Sequence, residues 1–312
     1  MSFRKRKEVP RGYLSYSNGT LSLDPYAFRE ASSGAEQIGA ALRFFPAVEE
    51  VFKNQPIIIS CYPSSLGMFQ GFTVVDTYLR SNTFSRALLL AHSEKLPAVI
   101  IGQPLSTTHL CLNHFTHKLD WPESIVIALG GYYCPLSLEK FIRHIMGQCR
   151  VKMEMLFGYG VAEVEFGCML GKRDRKSTDV VYRIISDTIN LFVEEDSKRL
   201  HIKRVDDEAF FFTGDFAEKI SDSNGDSYIL WNDEARLAKA VKRELETWEE
   251  SSWMRRTGYL TFNGNNDSFI FQLREGIAPI TNAEREYHCY NQQHGASWSD
   301  KPVWGTPHSP AL

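Results

Sequence analysis

The sequence lacks the features that mark several large classes of protein. No apolar run approaches the ~20 residues that a membrane-spanning helix requires. The N-terminal stretch has no apolar core of the secretory-signal kind. The six cysteines, at 61, 111, 134, 149, 168 and 289, form no C-x-x-C pair. That argues against a zinc ribbon or a disulfide framework and fits reduced thiols in the cytoplasm. There is no basic excess: Lys plus Arg number 35, Asp plus Glu 38, and the net charge is −3. A chain of that balance is not built around nucleic acid. The one basic cluster, "RKRK" at 4–7, reads as a solvated terminus, with an anion or membrane contact as the alternative. A Gly-x-Ser-x-Gly nucleophile elbow and a Walker loop are both missing, and there is no internal repeat. The expectation is a cytoplasmic protein whose partners include neither a membrane nor nucleic acid.

What is present is a substantial core. The 312 residues are 43% hydrophobic and 23% charged, enough for one large domain or two modest ones. The apolar spacing predicts a helix within 34–53 and a buried strand at "PIIISC", 56–61. "LGMFQGFTVVDTYLRS" reads as a helix, "LPAVIIG" and "SIVIALGG" as strands. "LSLEKFIRHIMGQC" at 136–149 reads as a helix and "VKMEMLFG" at 151–158 as the next strand, ending at its glycines. Strands alternating with helices imply a largely parallel sheet. From 180 to 231 the pattern changes to short strands joined by polar turns, "VVYRIIS", "INLFVEE", "RLHIKRV", "EAFFFTG" and "SYILW", which predicts an antiparallel sheet or small barrel. "NDEARLAKAVKRELETWEE" at 232–250 reads as a capped helix, and "TGYLTF" and "SFIFQLR" as two further strands. The expected fold class is α/β: a mainly parallel sheet flanked by helices, with a smaller antiparallel part. The expected units are an α/β core over 1–178, a β-rich part over 179–280 and an extended tail over 281–312.

Two strand exits stand out, because open α/β sheets bind ligands beyond the carboxyl ends of their strands. Gly130 and Gly131 end "SIVIALGG", and Gly158 and Gly160 stand in "MLFGYG". Glycines admit a close approach of backbone to a ligand, and Tyr132 and Tyr159 could stack on a planar ring. Glu163 stands where a magnesium ion carried by phosphates needs an oxygen ligand. Ordinary glycine-rich strand ends would look the same. "HLCLNHFTH" supplies His109, Cys111, His114 and His117, read as a strand or loop with structural, substrate-binding and metal-binding roles all open. "GKRDRKS" at 171–177 reads as a solvated loop.

The order of these pieces resembles the adenylate-forming superfamily, which includes acyl-CoA synthetases, peptide-synthetase adenylation domains and luciferases. "LGGYYCP" resembles that family's Gly-Gly-x-x-x-Pro turn, and "FGYGVAE" its Tyr-Gly-x-Thr-Glu motif. "SNGT", Ser17, Asn18, Gly19 and Thr20, resembles the start of the phosphate loop. "WMRRTGYL" resembles the Arg-Thr-Gly-Asp motif and "FIFQLREG" the strand with the hinge-proximal arginine. Tyr259 and Arg274, 15 residues apart, then stand at the ribose-binding acid and that arginine, with Asp215 of a second "TGD" as the alternative to Tyr259. The resemblance implies ATP and Mg2+ as cofactors, Glu163 and Arg274 as catalytic residues, Glu163 as the metal ligand, and Ser65, His109 and Cys134 near the acyl pocket. It implies a small carboxylate substrate, and a reductase, carrier protein or other biosynthetic enzyme as partner.

The departures from the family are specific. After "SNGT" the chain continues "LSLDP", without the loop's second glycine or lysine. Ala162 replaces the motif's threonine and Tyr259 the usual acid; a phenol accepts ribose hydroxyls less well than a carboxylate. Only 38 residues follow Arg274, with Lys301 their one lysine, so the small lysine-bearing domain of the family is not expected in this stretch, nor is thioester formation by this chain alone. Two readings follow: an atypical enzyme that makes an acyl adenylate from an aromatic or other acyl acid, or a catalytically inactive relative that serves as a ligand-binding or scaffold subunit. A third is an acyl-transfer component with Cys168 or Cys134 as acceptor.

Overall fold

The structure is a computed structural model that describes residues 12–16, 26–30, 42–61, 72–77, 79–131, 134, 136–161, 165–173, 179–222, 225–232, 259–263 and 268–272. Side chains are described over the same residues except in the strands 12–16, 26–30, 259–263 and 268–272 and at a few single positions. The 34–41 part of the first expected helix, most of the 232–250 helix and the 281–312 tail lie outside the described residues.

The chain begins with an antiparallel pair, β1 (Gly12–Tyr16) and β2 (Tyr26–Glu30). Helix α1 (Pro46–Lys53) follows, started by a proline whose fixed φ suits the first helical turn. A Glu49–Lys53 pair at 3.1 Å stands on its exposed face. Then come β3 (Ile57–Cys61), β4 (Thr73–Asp76), α2 (Ser81–Ser93), β5 (Ala98–Gly102), α3 (Pro104–Thr116), β6 (Ser124–Leu129), α4 (Leu136–Gln148) and β7 (Lys152–Val161). The rest of the large sheet is β8 (Glu165–Arg173), β9 (Val180–Ile184), β10 (Ile189–Val193), β11 (Arg199–Arg204), β12 (Phe211–Asp222) and β13 (Gly225–Asn232). A separate hairpin of β14 (Tyr259–Asn263) and β15 (Ser268–Gln272) lies against α3 and α4.

Strands β3 to β13 form one 11-stranded sheet in the order β10-β11-β12-β13-β9-β8-β7-β6-β5-β3-β4. From β4 to β7 the neighbours are parallel; from β7 to β10 they are antiparallel. The expected mixture of a parallel and an antiparallel part is therefore present, joined edge to edge as one sheet. Strands β3, β5 and β6 of the parallel half are buried on both faces, as continuous apolar runs require. Ile57, Ile59, Ile100, Ile125, Ile127, Met155 and Phe157 face one core with Phe84, Leu88, Leu110, Phe141 and Ile145 of α2, α3 and α4. The alternate residues Ile58, Val99, Val126 and Leu156 face a second core with Val48 and Val51 of α1.

Four expectations are corrected. Residues 73–76, expected in a helix, form β4, hydrogen-bonded in parallel to β3. Residues 109–116 of the "HLCLNHFTH" stretch are helical, within α3, and His117 caps its C-terminus. β7 does not break at Gly158 and Gly160 but runs on to Val161, because β8 pairs with it: Gly158 stands opposite Leu170 and Tyr159 opposite Met169. Residues 171–173 of the expected solvated loop belong to β8, and Arg173 is buried. No helix among the described residues is long and apolar enough to cross a membrane.

Candidate functional site

The carboxyl ends of β5 and β6 lie side by side next to the middle of β7, with Gly102 opposite Leu129 and Leu129 opposite Phe157. Just beyond Leu129, the Gly130 N–H donates to the Gly102 carbonyl at 3.0 Å. A methyl group on Gly130 would lie 3.2 Å from the Gly158 carbonyl oxygen, so the backbones of these two exits touch. Gly131 takes φ +92°, a conformation that glycine adopts at little cost. It also packs on Gln103, whose Cγ and Nε2 would each be 3.2 Å from a Cβ at this position. The Gly130–Gly131 turn and the Gly158 backbone are thus brought together beyond the carboxyl end of β6.

Tyr159 carries the polar chemistry of this edge. Its phenol donates to Asp215 Oδ2 at 2.8 Å, across 56 residues of sequence. Burial, then the neighbouring Asp215 carboxylate, hold the phenol well above its ordinary pKa, so it stays a donor at every physiological pH. Its ring meets Tyr182 edge-on with centroids 6.4 Å apart. Asp215 is buried on β12, and its N–H donates to Thr213 Oγ1 at 3.1 Å. The Thr213 hydroxyl in turn donates to the Leu200 carbonyl of β11 at 2.9 Å. The Thr-Gly-Asp stretch is thereby held against the Gly-Tyr-Gly strand.

The alternative acid, Asp215, is therefore the one brought to Tyr159. Its backbone partner across the β12–β13 hairpin is Asn232; Leu230, 15 residues beyond Asp215, pairs instead with Ala217. Tyr259 lies in β14, outside the large sheet. The side chain of Tyr259, and Ser17, Asn18, Gly19, Thr20, Ser65, Tyr132, Ala162, Glu163 and Arg274, lie outside the described residues.

The remaining candidates are buried. His109 is enclosed within α3, and burial lowers its pKa to about 3, so its imidazole is neutral. Cys134 and Cys168 are both in the main core. A thiol enclosed in this way is inert rather than a nucleophile, which removes the basis for the acyl-transfer reading. Among the described residues no group of three or more His, Cys, Asp or Glu side chains could hold a metal ion, so the four-residue set around "HLCLNHFTH" forms no metal centre. Gln103 and Tyr182 were not singled out from sequence. The first touches the site only through the turn at Gly131, and no local motif marks either.

No protein-family profile and no curated protein matches the sequence. Solved structures do. A mutant form of coronafacic acid ligase from Pectobacterium brasiliense matches with a TM-score of 0.46 and 16% identity, over 69% of this chain and 46% of that one. An anthranilate CoA ligase in complex with anthranoyl-AMP matches at 0.42 and 11%, over 74% and 51%. A luciferase-like enzyme from the nonluminescent mealworm Zophobas morio matches at 0.38 and 13%, over 73% and 59%. The likeness is one of fold, and the chain spans about half the length of these proteins.

Proposed function

We propose that the chain binds an adenylate at the carboxyl ends of β6 and β7 and uses ATP to activate a small carboxylic acid. The observation that carries this reading is the Tyr159–Asp215 hydrogen bond beside the touching Gly130 and Gly158 backbones. A buried carboxylate next to a phenol, at a strand edge lined by glycine backbone, suits a ribose with adjacent hydroxyls and a flat base. In this reading Asp215 accepts the ribose hydroxyls, the Gly130–Gly131 turn admits the nucleotide closely, and Tyr159 supports the base.

The reaction is an attack of a carboxylate oxygen on the α-phosphorus of ATP. The new C–O–P linkage forms as the bond to the β-phosphate oxygen breaks, and pyrophosphate leaves. Magnesium, when bound, would neutralise the phosphate charge. In this reading Glu163, which follows β7 in sequence, would hold the ion, and Asp215 is kept for the ribose. This chain's part is to orient the nucleotide and exclude water, which is where most of such catalysis resides. The acyl adenylate is a reactive mixed anhydride, and a reductase, carrier protein or other biosynthetic enzyme is the proposed consumer.

The second reading, a ligand-binding relative without turnover, is favoured by the sequence itself: "LSLDP" lacks the phosphate-loop lysine and Ala162 lacks a hydroxyl. One experiment separates the two. Pyrophosphate release is measured with ATP, Mg2+ and a panel of aromatic and aliphatic acids, alongside AMP binding by calorimetry. Acid-dependent release that is lost in Glu163→Ala and Asp215→Ala supports the enzyme. AMP binding without release supports the non-catalytic relative, and the absence of both rejects the adenylate site.

A further inference from the structure

A buried ion pair next to this site has no part in the chemistry above. Arg173, the last residue of β8, and Glu139, in the first turn of α4, have side chains only 4% and 5% exposed. Arg173 Nε donates to Glu139 Oε2 at 2.6 Å. Arg173 Nη2 donates to the backbone carbonyl of Cys134 at 2.5 Å. The guanidinium also lies 5.3 Å from the centre of the Phe157 ring. The other oxygen of Glu139 accepts from Arg143, with Nε at 2.8 Å and Nη2 at 2.7 Å.

Stability alone is a weak reason for such a pair. Removing two charges from water costs several kcal/mol per ion, and apolar replacements of similar volume are often neutral or better. Its placement gives a stronger reason. Cys134 belongs to the segment that leaves the Gly130–Gly131 turn, and Phe157 directly precedes Gly158. One planar guanidinium therefore joins the Cys134 carbonyl and the Phe157 ring to the start of α4. Arginine suits this task because its fork holds two acceptors in fixed directions while its face lies on an aromatic ring.

We propose that Arg173, held by Glu139, is a positioning residue that anchors the backbone at Cys134 relative to Phe157 and Gly158, so that an adenylate meets a preformed site. The inference rests on the adenylate reading above and deepens it. Loss of the carbonyl anchor would let the turn shift, and small misplacements at such sites are costly.

The test compares AMP affinity, by calorimetry, with thermal stability in four variants. Arg173→Met leaves the Glu139 charge buried and is expected to lower both. Arg173→Met with Glu139→Leu removes both charges; stability is expected to return to near wild type while AMP affinity stays lower by about tenfold or more. A merely structural role would restore both together, and that result overturns the proposal. Should the double variant not fold, Arg173→Lys and Arg143→Met decide. Lysine cannot hold both acceptors, so Arg173→Lys is expected to weaken AMP binding by about tenfold. Arg143 touches Glu139 but not the turn, and Arg143→Met is expected to bind AMP nearly as wild type does. Equal affinities in these two variants overturn the proposal. Wild-type protein that binds no AMP rejects the adenylate reading itself, a different outcome from a clamp that proves irrelevant.

Discussion

The contact between Tyr159 and Asp215 shows how far single residues could be read. Tyr159 was legible, because "FGYGVAE" presents it between two glycines, although β7 runs past it to Val161. Its partner was less so. The arginine expected 15 residues after the ribose acid drew the match to Tyr259, and across the β12–β13 hairpin Asp215 stands opposite Asn232. Hairpin length is decided by pairing between strands, and no local residue pattern states it. Arg173 was hidden for a related reason: in "GKRDRKS" the charges dominate, and only the pairing of β8 with β7 and β9 brings that arginine inside. The phenol–carboxylate bond yields a direct prediction. Tyr159→Phe keeps the ring and its contact with Tyr182 but removes a donor from a buried carboxylate. Hydrogen bonds to charged groups contribute about 1.5–3 kcal/mol, so a loss of that order is expected in urea unfolding. An unchanged midpoint and slope would mean that the bond is not important to the folded state.

Among the elements, α3 departs most from its sequence-based reading. Leu110, Cys111, Leu112, His109, Asn113 and His114 are all buried, so the helix is enclosed on every side and shows no apolar stripe of helical period. β4 escaped notice because four residues at a sheet edge are too few to show alternation. The long apolar strands β3, β5 and β6 were legible, since burial on both faces leaves runs such as "PIIISC" and "SIVIALGG". The enclosure of α3 has a consequence for pH. Burial lowers His109 to about 3 and His114 to about 4, while both return to ~6.5 in the unfolded chain. Below pH ~6.5 the unfolded chain binds protons that the folded one refuses, so stability is full above that pH and is lost as pH falls. The loss approaches ~1.4 kcal/mol per pH unit for each histidine. Urea midpoints measured from pH 7 to pH 5 are expected to fall along that slope, and His109→Gln or His114→Gln to lower it by about one proton's worth. A slope unchanged in both variants would show that other groups govern the acid side.

For the whole molecule, the central question is whether the parallel and antiparallel halves act as one body. The change in sequence character near residue 179 suggested a unit boundary there. The hydrogen bonding crosses that point without interruption: Arg173 stands opposite Val180 and Gly171 opposite Tyr182, with no Cβ on Gly171 to hold the Tyr182 ring away. The main core runs from Ile57 on β3 to Ala217 on β12 and Tyr228 on β13. The placement of Asp215 against Tyr159 depends on that continuity, because the two residues come from opposite sides of residue 179. Hydrogen exchange tests it. If the sheet is one cooperative unit, amides of β5, β6, β7, β8 and β9 exchange last and together, while the edge strands β4 and β10 exchange first. Exchange of β9 to β13 as a block, well ahead of β5 to β7, would divide the sheet after β8. The Tyr159–Asp215 contact would then open with each excursion of that block, and AMP at saturating concentration would be expected to slow its exchange, since a ligand held from both sides stabilises the closed sheet.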